Sequence, residues 1–213
     1  IYHLHEFVIG RMITFVLHSK KKTNTYGYQH GPSSLKKLYH SNSSKELPFH
    51  KNNYLNSVPL PNFVYAEDKQ SSNVYQLTGF KNIIVLKQVP RLSYLYNIKL
   101  EIEKNIYLIA AGLHDFDFVY RTTIKDIRKK PNQKFLFKPH PKSNINLAKY
   151  PLPQNASYTK SHIKDLLKKT SLLYATYSSV ITEAEFLKIK VNILEIPGAI
   201  DLSSYGEENM NLK

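Results

Sequence analysis

Between Lys104 and Ile196 short apolar runs alternate with helix-period segments, and this alternation limits the possible folds more than any other feature. Lys104 to Ala111 is almost continuously apolar, as a strand buried on both faces requires. Gly112 to Asp115 makes a loop. Asp117 to Lys130 has helical period, with Phe118, Thr122, Ile124 and Ile127 spaced toward one face. Lys134 to Lys138 is a second strand, in which Phe135 and Phe137 alternate with polar or outward positions. A strand–helix–strand unit of this kind implies parallel pairing. The pattern repeats: Ala156 to Tyr158 as strand, Ser161 as N-cap of a helix over His162 to Lys169, and Leu172 to Thr176 as strand. A helix from Ser178-Ser179 to about Lys188 and a strand over Val191 to Ile196 complete it. The expected fold is α/β, a Rossmann-like parallel sheet with flanking helices.

The front of the chain is less regular. Glu6 to Lys20 has a broad apolar face, and Lys20 to Lys22 follow where cations suit a helix dipole. Thr23 to Gln29 reads as a short strand ending in the loop Gln29-His30-Gly31-Pro32. Ser33 to Pro61 is polar and proline-containing, as expected of a long loop or linker, with one short helix over Ser34 to Tyr39. Short strands then follow at Asn62 to Ala66 and Asn82 to Leu86. The expected division is 1–61 as a remnant of an amino-terminal domain with its linker, 62–200 as the Rossmann-like domain, and 201–213 as a polar tail. The chain starts with Ile1 in mid-pattern and is read as a piece of a longer protein.

Hydrophobic residues make up 42% and aromatics 12%, enough for a packed core. The net charge of +14 is nearly all lysine; only Arg11, Arg91, Arg121 and Arg128 are arginines. Charge this dispersed and this poor in arginine argues against a nucleic-acid binder, which clusters its charge and uses forked arginine contacts. It suits an anionic membrane face or a phosphate-bearing ligand, and also simple compositional drift. There is no Cys, hence no disulfide framework and no thiolate metal site. The nine His show no metal-ligand spacing, and no metal or cofactor is expected. No Walker A, Gly-x-Gly-x-x-Gly or Gly-x-Ser-x-Gly motif occurs. No apolar run reaches the ~20 residues a membrane span needs.

Two strand-end segments carry the chemistry. In Lys138-Pro139-His140-Pro141 the prolines fix φ on both sides of one imidazole, at the edge where open α/β sheets bind ligands. In Thr176-Tyr177-Ser178-Ser179 two hydroxyls meet a helix start, and Glu183 follows about one turn later. The same residues also suit a structural turn, a simple N-cap and a first-turn acid. Taken as a set, they would surround a nucleotide mono- or diphosphate.

Lys138-Pro139-His140-Pro141 and Tyr177-Ser178-Ser179-Val180-Ile181-Thr182-Glu183-Ala184 resemble the carboxyl-terminal domain of GT-B fold glycosyltransferases. The resemblance is nearest to bacterial surface-polysaccharide enzymes of the Kdo-, sialyl- and glycerophosphate-transferring (CDP-glycerol) groups. Gly27 to Gly31 is similar to the Gln-His-Gly that ends their amino-terminal domain, Glu6 to a Glu upstream of it, and Pro90-Arg91 to a Pro-Arg at the start of the second domain. One departure lies after Glu183-Ala184, where Lys188 and Lys190 stand near places usually held by a Gly and a Pro. The resemblance implies donor phosphate binding by His140, Ser178 and Ser179, with Lys138 contributing, and ribose binding by Glu183. Arg91 and Asp115 are further candidates; Glu6, His30 and Asp115 are the candidate bases. The implied activity is metal-independent transfer of a sugar or polyol phosphate from a CMP-, CDP- or UDP-linked donor to a glycan or lipid-linked acceptor. The implied location is cytoplasmic, peripheral to the inner face of the plasma membrane. The alternative is a non-catalytic or degenerate nucleotide-sugar or polyanion-binding α/β module.

Overall fold

The computed structural model describes residues 1–3, 8–19, 23–29, 31, 33–36, 42–47 and 58–198. They fall into two units, one ending at Val89 and one starting at Pro90. Both are α/β with all-parallel sheets, the Rossmann-like class that the alternation from Lys104 to Ile196 predicts for the second.

The first unit holds a four-stranded sheet in the order β1-β2-β3-β4, made of Tyr2–His3, Tyr26–Tyr28, Phe63–Ala66 and Ile83–Val85. Helix α1 spans Val8–Ser19 and α2 spans Lys69–Leu77. This corrects the expected division at residue 62. β3 pairs with β2 residue for residue, from Tyr26 opposite Phe63 to Tyr28 opposite Tyr65, so the segment after Asn62 completes the first sheet. Helix α2 is not expected from the sequence, because its Gln-Ser-Ser-Asn stretch carries almost no apolar period. Asp68 starts it by accepting from the Ser71 N–H at 2.6 Å, and it buries only Ser71, Val74 and Tyr75.

α1 is a helix, as expected, but its apolar stripe does not face inward. Ile9, Met12, Ile13 and Val16 are exposed, while Gly10 and Thr14 are buried. The polar side does the holding: His18 Nε2 is 3.1 Å from Thr25 Oγ1.

The second unit carries the sheet β7-β6-β5-β8-β9, built from Ile106–Ala110 (β5), Lys134–Lys138 (β6), Ala156–Tyr158 (β7), Leu172–Ala175 (β8) and Lys190–Ile193 (β9). Strand order reverses between β5 and β8, so the two strands flanking the reversal are neighbours although 65 residues separate paired Tyr107 and Leu172. In open parallel sheets the crevice beyond the carboxyl ends at such a reversal is where ligands bind. Helices α3 (Phe116–Lys129), α4 (Ile163–Lys169) and α5 (Val180–Phe186) connect the strands.

The core follows from periodicity. Phe135 and Phe137, two apart on β6, point to one face and are fully buried with Ile109, Phe116, Val119, Ile127 and Tyr174. The buried stripe of α3 is Phe116, Val119, Thr123 and Ile127. It is displaced from the expected one: Thr122 is exposed, and Phe118 and Ile124 are only half-buried. The N-cap of α4 is His162 instead of Ser161.

Lys188, just past α5, has φ +58°, the left-handed region that costs an L side chain about 1 kcal/mol. Lys188→Gly is therefore expected to raise stability by about 1 kcal/mol, read as a higher urea midpoint at unchanged slope. A lower midpoint would show that the left-handed turn is not the dominant cost there.

Candidate functional site

The carboxyl ends of β5, β6, β7 and β8 open onto a cavity of about 370 Å³. Lys138 and His140 line it from the end of β6, and Ser178, Ser179 and Glu183 from the β8–α5 corner. Five residues singled out from sequence, spread over 45 positions, thus share one wall space. Lys160 and His162 complete it from the β7–α4 loop, with Ala110 and Ala111 at its β5 side.

Each imidazole in the cavity is oriented by its own backbone. His140 Nδ1 accepts from the Lys142 N–H at 3.2 Å, and His162 Nδ1 accepts from the Lys164 N–H at 3.3 Å. With Nδ1 accepting, the neutral ring carries its proton on Nε2, so each His retains one outward N–H donor. The Ser143 N–H and hydroxyl both donate to the His140 carbonyl, at 2.9 and 2.6 Å, which locks the proline-braced corner. Lys138 donates to the Ser161 carbonyl at 2.8 Å, tying β6 to the β7–α4 loop. Burial holds its ammonium pKa below the usual lysine value.

Ser179 is the N-cap of α5, yet its side chain makes no capping bond. The simple N-cap explanation of that hydroxyl therefore does not hold. Glu183 lies one turn on. Its Oε2 is buried without a hydrogen-bond partner among the described residues. Burial pushes the Glu183 carboxyl above its ordinary value; a hydrogen bond from Tyr94 and the neighbouring Arg91 and His162 side chains pull it back. Burial and then the bond to Glu183 raise the Tyr94 hydroxyl in turn. Tyr94 also meets the His162 ring edge-to-face at 6.2 Å. Arg91 thus acts on Glu183.

A raised folded pKa has a defined sign. Between the unfolded value of 4.5 and the higher folded value, the native state binds more protons, so stability falls as pH rises through that window. Glu183→Gln is expected to flatten this slope, measured as urea stability from pH 4 to 8. Parallel curves for wild type and variant would contradict the raised pKa.

Asp115 proves to be a brace. Its Oδ1 accepts from the Gly112 N–H at 2.6 Å, and its Oδ2 accepts from the buried Thr176 hydroxyl. Oδ1 closes the β5–α3 loop on itself and Oδ2 ties it to the β8–α5 loop, so both oxygens are engaged, which does not suit the role of proton acceptor for a substrate.

In the first unit, Gln29 of the Gln29-His30-Gly31 segment is fully buried. Its amide donates to Gly31 O and Ser71 Oγ and its Oε1 accepts from the Glu67 N–H at 2.7 Å, so it closes the end of β2 onto β3. Glu6, His30 and the 201–213 tail lie outside the described residues. Among the described residues no cluster of three or more His, Cys, Asp or Glu could hold a metal ion, and no helix is long and apolar enough to cross a membrane.

Tyr94, Lys160 and His162 were missed by sequence reasoning. A signal existed for His162, an i+2 backbone acceptor at a helix start, but nothing local connects Tyr94 to Glu183 across 89 positions. No protein-family model matches this chain, and no curated protein matches it significantly.

Proposed function

We infer that this chain is the donor-binding half of a GT-B type transferase of surface-polysaccharide synthesis, moving a sugar or polyol phosphate from a nucleotide-activated donor to a glycan or lipid-linked acceptor. One observation carries the reading: the cavity at the strand-order reversal gathers two Nε2–H donors, the Lys138 and Lys160 ammonium groups, two serines and one under-bonded carboxylate. The cations and N–H donors suit a phosphate; the carboxylate suits the hydroxyls of a ribose.

In this reading His140 donates Nε2–H to the donor phosphate, and Ser178 and Ser179 add hydroxyl donors. Glu183, which lines the cavity, accepts from a ribose hydroxyl. Charge that develops on the departing nucleotide is met by fixed donors that need no reorganisation. Deprotonation of the acceptor falls to a base outside this set, for which Glu6 and His30 are the sequence candidates. The reaction would run in the cytoplasm, at the inner face of the membrane where lipid-linked acceptors are anchored.

Calorimetric titration with CMP, CDP and UDP tests this. At least one should bind, and His140→Ala should weaken it about tenfold, the loss of one charge-assisted hydrogen bond. Unchanged affinity for all three would overturn the reading. Binding retained in a full-length protein that shows no turnover would favour the passive nucleotide-sugar module.

A further inference from the structure

The Lys138–Pro141 corner is a ridge with a cavity on each side. Beyond it lies a larger cavity of about 720 Å³, closed by the loop after Pro141 and by the end of β7. Ser143, Asn144 and Thr159 give it polar groups, and Ile145, Leu147 and Tyr158 give it an apolar wall. Lys138, His140 and Lys160 belong to both cavities.

This second cavity is preformed. Ser143 is bound twice to His140 O, and Tyr158 donates to the Tyr150 carbonyl at 2.7 Å. The Ser161 N–H donates to Thr159 Oγ1 at 3.2 Å, and Asn146 caps the short turn over Leu147–Lys149. Little ordering cost remains for a ligand.

Its chemistry is one-sided. Among the described residues, two lysines, a histidine and an amide line it, and no carboxylate does. Lys138 spends one N–H on Ser161 O and keeps two donors. A neutral sugar offers mainly hydroxyl donors and calls for carboxylate acceptors; an acidic sugar calls for cations. A nucleobase calls for a free aromatic face. The Tyr158 ring is instead packed against Phe137 at 5.6 Å and stacked on Phe116 at 6.4 Å. Aliphatic Ile145 and Leu147 suit the C–H face of a pyranose.

We propose that this second cavity binds an acidic sugar residue of a glycan, with its carboxylate on Lys138 and Lys160 and its hydroxyls on Asn144, Ser143 and Thr159. Only the naming of that glycan as the second substrate rests on the nucleotide reading of the neighbouring cavity; the binding itself does not.

The probes are trigalacturonate, neutral maltotriose, a single-stranded oligothymidylate, and CMP or UDP, each titrated into the full chain and followed by amide NMR shifts. Asn144 is exposed, so Asn144→Trp should fill the cavity mouth without loss of fold; Leu147→Trp fills it from the apolar side. Trigalacturonate should bind at least tenfold tighter than maltotriose, and Asn144→Trp should weaken it at least tenfold while nucleotide affinity stays within twofold. If Leu147→Trp does not fold, Asn144→Trp decides alone. The proposal is overturned if trigalacturonate does not bind, if maltotriose binds equally well, if the filled variants bind trigalacturonate unchanged, or if oligothymidylate competes for the same residues more tightly. Failure of every nucleotide to bind while trigalacturonate binds would sink the donor reading and leave this one standing.

Discussion

Asp115→Ala is expected to cost about 3 kcal/mol and to weaken nucleotide binding at a cavity that Asp115 does not line. Its carboxylate accepts one bond from the Gly112 N–H and one from the Thr176 hydroxyl. Hydrogen bonds to a charged partner contribute about 1.5–3 kcal/mol each, and Thr176, 2% exposed, would keep a buried hydroxyl with its partner gone. The fit is close: a Cβ on Gly112 would lie 2.9 Å from Asp115 Oδ2. The two loops that Asp115 joins carry Ala111 on one side and Ser178 and Ser179 on the other, so releasing them should loosen the site. Asp115→Asn keeps an acceptor for Gly112 and should recover part of both losses. Chemical denaturation gives the stability and titration with CMP or UDP gives the affinity. A variant within 0.5 kcal/mol of wild type, with undiminished affinity, would mean that the brace holds nothing.

Phe137→Ala should be the most damaging single truncation, at about 3–5 kcal/mol. Phe137 is 0% exposed and packs against Phe116 at 5.2 Å, Tyr158 at 5.6 Å and Tyr120 at 6.4 Å. Those rings come from α3 and β7, so a cavity there leaves several elements without their shared contact. The neighbouring Leu136 points to the opposite face of β6 and is only half-buried, and Leu136→Ala should cost less than half as much. Denaturant midpoints of the two variants settle the ranking. Equal losses would contradict the assigned faces of β6. Because Phe137 directly precedes Lys138, its loss should also blunt nucleotide binding.

Local signals were legible wherever apolar period was strong. The run from Lys104 to Ala111 and the alternation of Phe135 and Phe137 mark β5 and β6 within two residues of their ends. α2 was illegible because its core-facing positions include Ser71, and a small polar residue leaves no hydrophobic period. The division between units was misplaced because strands of either unit look alike in sequence. Only the pairing of Phe63 with Tyr26 assigns β3 to the first sheet. α1 shows a further limit: periodicity found its apolar stripe, but nothing in the pattern tells which side packs, and it is the side with buried Thr14 and with His18, bonded to Thr25, that does.

The sequence by itself determined the parallel α/β class of the stretch from Lys104 to Ile196 and the strand-end positions of Lys138, His140, Ser178, Ser179 and Glu183. A strand and the loop leaving it are contiguous, so their residues can be placed without knowing what lies beside them. Tertiary structure decided everything that depends on neighbours across the sheet. It set β5 beside β8, turned Asp115 into a brace between their loops, brought Arg91, Tyr94 and His162 around Glu183, and gave the Lys138–Pro141 corner a cavity on each face. Such contacts arise from strand order, and strand order depends on packing between segments tens of residues apart that no local pattern encodes.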